Sequence, residues 1–153
     1  MKKILLIILL LTASICLGAT ITSASHGDWN ATSTWVGGAL PAAGDDVIIA
    51  HNVILTAGDD RSTNSLTINA GKTLTLNATL TVATTSSTVG GGKINVNASG
   101  SYTQTAGDFT NQGVINCYSG SDLVFLDNGT TFTNSGQVNM YSSNTLFSSF
   151  VLS

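Results

Sequence analysis

The chain has 153 residues, with five Lys or Arg against eight Asp and no Glu, and a formal net charge of −3. That length is enough for one domain, and so few cations cannot form the basic stripe that nucleic-acid binding needs. Without Glu, and with Asn, Asp, Gly and Ser abundant, the composition turns away from helices, because these residues favour turns.

Residues 1–19, MKKILLIILLLTASICLGA, carry two lysines, an apolar run over 4–11 and then small residues. This is the layout of a secretory leader. The apolar part falls short of the roughly 20 residues that span a bilayer, which argues against an uncleaved anchor. Cleavage is expected between Gly18 and Ala24, with Ala19 as the last leader residue, although Leu17 is larger than the residue usual two places earlier. A lipid-bearing Cys16 is the alternative, and the bulk of Ile15 before it argues against this. The mature chain then keeps Lys72, Lys93 and Arg61 against eight aspartates, a formal charge of 3 − 8 = −5. Cys117 is its one cysteine, in a compartment where disulfides form, so stability must come from burial and backbone pairing.

Residues 20–43 read as an irregular N-terminal cap. Trp29 and Trp35 are an even number of residues apart and would share a face of an extended segment; Gly37-Gly38 and Pro41 punctuate a loop. The two tryptophans are candidates for a plug over the open end of the core, or alternatively for an aromatic platform under a sugar ring. Residues 47–50 and 53–56 read as two short buried strands with a bend at His51-Asn52. Two Gly-Asp-Asp steps flank them and place Asp45, Asp46, Asp59 and Asp60 in neighbouring loops. Turn chemistry explains these aspartates. Their alternative role is as oxygen ligands to calcium, which takes six to eight of them.

The order Trp29, Trp35, Gly37-Gly38, Pro41, Gly44-Asp45, Val47, Ile49, continued by SLTINAGKTLTLN at 65–77, resembles the opening of the G-eight (eight-glycine) domain and is similar to N-terminal modules of secreted bacterial repeat proteins. The resemblance covers about residues 27–82. It implies an extracellular all-β module of a large surface or secreted protein, with a polysaccharide or surface glycan as partner. The later Phe-Thr-Asn repeats look more like bacterial adhesin or passenger coils.

From 44 to 153 the chain repeats itself. FTNQGVINCYSGSDLVF at 109–125 returns as FTNSGQVNMYSSNTLFS at 132–148, and weaker matches place glycines at 71, 92, 113 and 136. A period of about 21–23 residues signals a solenoid. The unit is a strand unit: over 73–82, Leu74, Leu76, Leu80 and Val82 alternate with Thr73, Thr75, Thr79 and Thr81. The expected fold is therefore all-β, a right-handed, single-stranded parallel β-helix or a close solenoid relative. Ile94, Ile115 and Val138 would form one inward column, and Val96, Cys117 and Met140 the next. Phe109 would stack on Phe132 and Leu123 on Leu146. Asn111 over Asn134 and Asn116 over Asn139 would make polar ladders at corners. In such a column Cys117 is a small hydrophobe rather than a nucleophile, which would need a nearby histidine. The Thr-x-Thr pairs at 73/75, 79/81, 103/105 and 131/133 are too unevenly spaced to form one clean column. The Asn-x-Ser/Thr matches at Asn30, Asn77, Asn97 and Asn128 carry no assigned role.

No pair of carboxylates suited to glycoside hydrolysis stands out, and the segment after Lys93 has no Lys, Arg or His for lyase chemistry. The sequence therefore points to a non-catalytic structural or adhesive module, secreted or at a cell surface and belonging to a larger protein. A carbohydrate-binding module is the alternative, and a polysaccharide-active enzyme the third reading. No cofactor is expected apart from the calcium considered above. The apolar residues Phe147, Phe150, Val151 and Leu152 suggest a truncated stack open to end-to-end self-association.

Overall fold

The computed structural model describes residues 18–126, 129–141 and 145–147. Short strands follow one another around three parallel sheets. The first sheet stacks Thr20–Thr22, Asp46–Ile49, Ser65–Ile68, Ser86–Thr88, Phe109–Asn111 and Phe132–Asn134. The second stacks Gly27–Asp28, Val53–Leu55, Thr73–Leu76, Lys93–Val96, Val114–Cys117 and Gln137–Met140. The third stacks Arg61–Thr63, Thr79–Val82, Ser101–Gln104, Asp122–Phe125 and Thr145–Phe147. The chain visits first, second and third sheet in turn and then repeats one layer further along the axis. This is a three-sided parallel β-solenoid, the architecture expected from the period.

Alternation sets the inside of each side. In Thr73–Leu76 and Thr79–Val82 every second residue is buried, and the bend at Asn77-Ala78 carries the chain from the second sheet to the third. No coil can bury its inward face alone, so the stacked neighbours close the core. Ile94 lies over Ile115 and Ile115 over Val138, while Val96, Cys117 and Met140 follow one another in the next column. Phe109 pairs with Phe132, their rings 5.4 Å apart, and Leu123 is in register with Leu146.

The register corrects the repeat at one step. Leu74 lies over Ile94, a step of 20 residues, so Lys72 rather than Gly71 lies level with Gly92. Gly71 is level instead with Gly91, and both adopt positive φ in a tight turn. Gly92, Gly113 and Gly136 are glycines for a different reason. A Cβ on Gly113 would stand 1.9 Å from the Gly92 carbonyl oxygen, and one on Gly136 would stand 2.1 Å from that of Gly113. The corner between first and second sheets is closed by backbone packed on backbone.

The interior also holds a polar cluster that alternation alone does not reveal. Both the Ser86 and Tyr102 hydroxyls donate to Gln104 Oε1, each at 2.7 Å, and the Gln104 amide donates to the Thr84 and Ala106 carbonyls. Thr88 and Asn111 are hydrogen-bonded beside it. Buried polar groups persist where each finds a partner, and this cluster meets that condition. Asn111, buried at the end of its strand beside the corner, donates to Asn134 as the ladder reading expects, whereas Asn116 sits mid-strand on the outer face rather than at a corner.

The N-terminal cap is more regular than expected up to Asp28, since Thr20–Thr22 and Gly27–Asp28 join the first and second sheets in parallel register. The irregular part comes next, with two short 3-10 turns at Thr32–Thr34 and Val36–Gly38. The apolar residues Phe150, Val151 and Leu152 lie outside the described residues, as does the side chain of Phe147.

Candidate functional site

Trp29 and Trp35 come together, but facing inward. Their exposures are 0% and 2%, their rings meet edge to face at 4.9 Å, and Trp35 Nε1 donates to the Trp29 carbonyl at 2.7 Å. The Trp29 amide donates to the Ile54 carbonyl, which fastens the pair to the coil beneath. A sugar stacks on an aromatic face that water can reach. Neither indole offers one, so the platform reading loses its surface and the plug reading fits the geometry. Arg61, the sole arginine, donates from Nε to Asn30 Oδ1 at 2.9 Å and ties the third sheet to this plug. His26 and His51 stand edge to face nearby at 5.6 Å. His26 Nδ1 accepts the Asn52 amide, and His51 Nδ1 donates to the Ser23 carbonyl.

The four aspartates do not converge. Asp45 accepts the Ala19 amide on one oxygen and the Ala42 amide on the other, at 2.7 and 2.8 Å. Asp46 accepts from Asn64 and Ser65, and these two bonds, Ser65 first, hold its carboxyl below the usual carboxylate range. Asp60 accepts the Thr79 amide at 2.8 Å. Among the described residues no group of three or more His, Cys, Asp or Glu side chains is placed to hold a metal ion. Three of the candidate ligands are thus engaged in turns and ladders, the ordinary chemistry of aspartate in loops. Thermal unfolding in excess calcium and in chelator is expected to give the same midpoint. An ion bound only to the folded state at a hundred times its Kd would add about 2.7 kcal/mol and raise the midpoint by several degrees.

Cys117 is fully buried between Val96 and Met140 in its column. Burial pushes its thiol up to about 11, away from the range of a nucleophile. The unfolded thiol ionises first as pH rises, so the unfolded state binds fewer protons and stability falls between about pH 9 and 11. Below that window the contribution is complete. Cys117→Val is expected to remove this slope while costing less than about 1.5 kcal/mol at neutral pH. Denaturant titrations at pH 7, 9 and 11 check both parts, and rapid labelling of the native thiol would contradict the burial.

The outer faces carry the expected Asn116–Asn139 ladder and two further features. On the second sheet Asn95, Asn116 and Asn139 form an amide ladder, with Asn116 Nδ2 donating to Asn95 Oδ1 at 2.8 Å and Asn139 Nδ2 to Asn116 Oδ1 at 2.9 Å. At the adjoining turn Asn97 donates to Asn77, and the next two positions are Tyr118 and Tyr141, stacked at 5.1 Å with planes 9° apart. The tyrosines are 38% and 48% exposed. On the first sheet Thr67, Ser87, Thr110 and Thr133 lie in one register column. Tyr118 and Tyr141 occupy matching places in the 23-residue repeat, which was the available signal. The hydroxyl column was hidden because one of its members is serine and its coil steps are unequal.

Asn ladders of this kind are stabilised by pairing along the stack, as in cross-β assemblies. Their remaining polar valences and the tyrosine edges face solvent, a chemistry suited to the hydroxyl groups of a glycan. No protein-family model matches the chain, and no characterised protein or solved structure matches it.

Proposed function

We propose that the chain is a non-catalytic structural and adhesive module, secreted or held at a cell surface within a larger protein. The observation that carries this reading is the side-chain register along the axis. Ladders of asparagine, stacked tyrosines and a column of hydroxyls run from coil to coil. Such columns stiffen a rod and present a repetitive, mostly uncharged surface along its sides. Asp45, Asp46, Asp60, Arg61 and the two histidines described above bond in turns, at strand ends and in the cap, where they hold the rod together. The resemblance of residues 27–82 to the G-eight domain supports the extracellular setting.

Carbohydrate binding is the second reading, and the exposed Tyr118–Tyr141 stack beside the Asn ladder favours it. Aromatic side chains with one apolar and one polar end are suited to such contacts. The test is to display the protein on a non-adherent cell and measure retention under flow on bare and glycan-coated surfaces. The soluble protein would be run in parallel on a glycan array and against polysaccharides assayed for new chain ends. Retention without chain cleavage supports the adhesive module. Array binding that Tyr118→Ala abolishes would favour the carbohydrate module, and release of chain ends would overturn the non-catalytic reading.

A further inference from the structure

We propose that the Gly18–Ala19 bond is the one hydrolysed when the leader is removed, and that Asp45 holds the new ammonium group of Ala19. This rests on the leader reading of the first residues and moves the expected cut one residue toward the N-terminus.

The folded module uses both main-chain groups of Ala19. Its N–H donates to Asp45 Oδ1 at 2.7 Å, and its carbonyl accepts the Asp46 N–H at 2.8 Å. Parallel pairing with the first sheet begins at the next residue, Thr20 against Asp46. A cut after Ala19 would remove that donor and that acceptor together and leave the Asp46 N–H open at the sheet's edge. A cut before Ala19 keeps both and converts the peptide N–H into an ammonium.

The receiving carboxylate is already fixed. Asp45 Oδ2 accepts the Ala42 N–H at 2.8 Å, the Asp45 N–H donates back to the Ala42 carbonyl at 3.0 Å, and the Asp45 carbonyl accepts the Asn64 N–H at 2.8 Å. Oδ1 is thereby aimed at residue 19 by a turn that does not depend on the leader. A hydrogen bond gains strength when both partners are charged. Asp46, with its carboxyl held ionised by Ser65 and Asn64, adds a second negative charge close by.

The sequence around the bond agrees. Leader removal reads small residues at the first and third places before the cut. For the Gly18–Ala19 bond these are Gly18 and Cys16; for the next bond they are Ala19 and Leu17. Gly18 lies tight against Gly44, where a Cβ at residue 18 would stand 1.5 Å from the Gly44 carbonyl oxygen. A peptidase cannot enclose a bond packed in this way, so hydrolysis comes before Thr20–Thr22 docks. Water adds across the bond: Gly18 departs with the leader as a carboxylate, and the Ala19 amine takes a proton and settles on Asp45.

Two measurements test this. The full reading frame is expressed with its own leader in a bacterial secretory host, and the purified product is analysed by intact mass and N-terminal sequencing. The expected product begins Ala-Thr-Ile-Thr. A start at Thr20 or later overturns this assignment and leaves the leader reading standing, whereas a start at Met1 or a lipid on Cys16 overturns both. The Ala19 ammonium is then titrated by NMR in the mature protein, in its Asp45→Asn variant and in a free Ala-Thr-Ile-Thr peptide. The midpoint is expected to be higher in the protein than in the peptide and to fall in the variant. A midpoint equal to the peptide's overturns the contact even if the variant does not fold, and a variant that folds without a shift overturns the role of Asp45.

Discussion

Ile115→Asp is expected to unfold the coils around the second sheet. Ile115 is fully buried, with Ile94 on one side of it in the column and Val138 on the other. Removing its side chain from a packed core costs about 2–5 kcal/mol. An uncompensated buried charge costs a further 3–5 kcal/mol or so. Of the described Lys and Arg residues, Lys72 and Lys93 lie on turns or outward positions and Arg61, in the third sheet, is bonded to Asn30, so none neutralises it. Together these losses rival the whole stability of a typical domain, about 5–15 kcal/mol. Because stacked coils are coupled mainly to their neighbours, hydrogen exchange should accelerate first over 93–96, 114–117 and 137–140. Ile115→Val, as a control, should cost only about 0.5–1.5 kcal/mol. A variant Ile115→Asp that keeps native exchange protection would mean that this column does not close the core.

That the columns are legible in the sequence follows from the physics of stacking. In a solenoid the partner of a residue lies one coil away, so self-similarity in sequence is a direct image of contact. Phe109 with Phe132 and Asn116 with Asn139 were legible for that reason. The image blurs where coils differ in length. Leu74 over Ile94 breaks the 21-residue spacing because Gly71 matches Gly91, which turns at the same place with positive φ, and not Gly92, whose level one coil earlier is held by Lys72. It blurs again where the interior is polar. Ser86, Thr88 and Gln104 are polar, yet they point inward: Ser86 and Tyr102 donate to Gln104, and Thr88 donates to Asn111. Pairwise hydrogen bonding made their burial affordable, and composition cannot display pairing.

The site residues were less legible than the fold, for a related reason. An aromatic pair an even number of residues apart in one segment specifies that two rings can meet, but not whether they meet over a core or under water; at Trp29 and Trp35 both rings are buried. Aspartates in Gly-Asp-Asp steps specify turns, and whether turns from different coils converge depends on which side of the prism each occupies. Asp46 begins a strand of the first sheet and Asp60 precedes one of the third. Tyr118 and Tyr141 matched across the repeat, but their exposure follows from standing just past the end of a strand, at a turn.

Gly113→Ala is expected to cost about 3 kcal/mol or more, although alanine suits an ordinary strand start. Gly113 does not have a positive φ, so no backbone conformation is denied to the new residue. The obstacle is the coil beneath. The added Cβ would stand 1.9 Å from the Gly92 carbonyl oxygen, which is the acceptor for the Val114 N–H at 2.9 Å. Side-chain rotation cannot relieve a contact between a Cβ and main chain, so the two coils must separate at that corner. Separation strains the Val114 bond and also the Gln137 N–H bond to the Gly113 carbonyl, at 2.8 Å. Overpacking of this kind costs about 1–3 kcal/mol, and each weakened hydrogen bond adds about 1 kcal/mol. Two other glycines separate this cause from the usual one. Gly58 has a φ of 85° and open space around its Cβ position, so Gly58→Ala should cost only the left-handed conformation, about 1–2 kcal/mol. Gly90 has neither a positive φ nor a neighbour within 4 Å, and Gly90→Ala should be close to neutral. Urea midpoints for the three variants should therefore rank Gly90→Ala above Gly58→Ala above Gly113→Ala. If Gly113→Ala matched Gly90→Ala, the coils would not be packed backbone on backbone at this corner, and the glycine column would need another explanation.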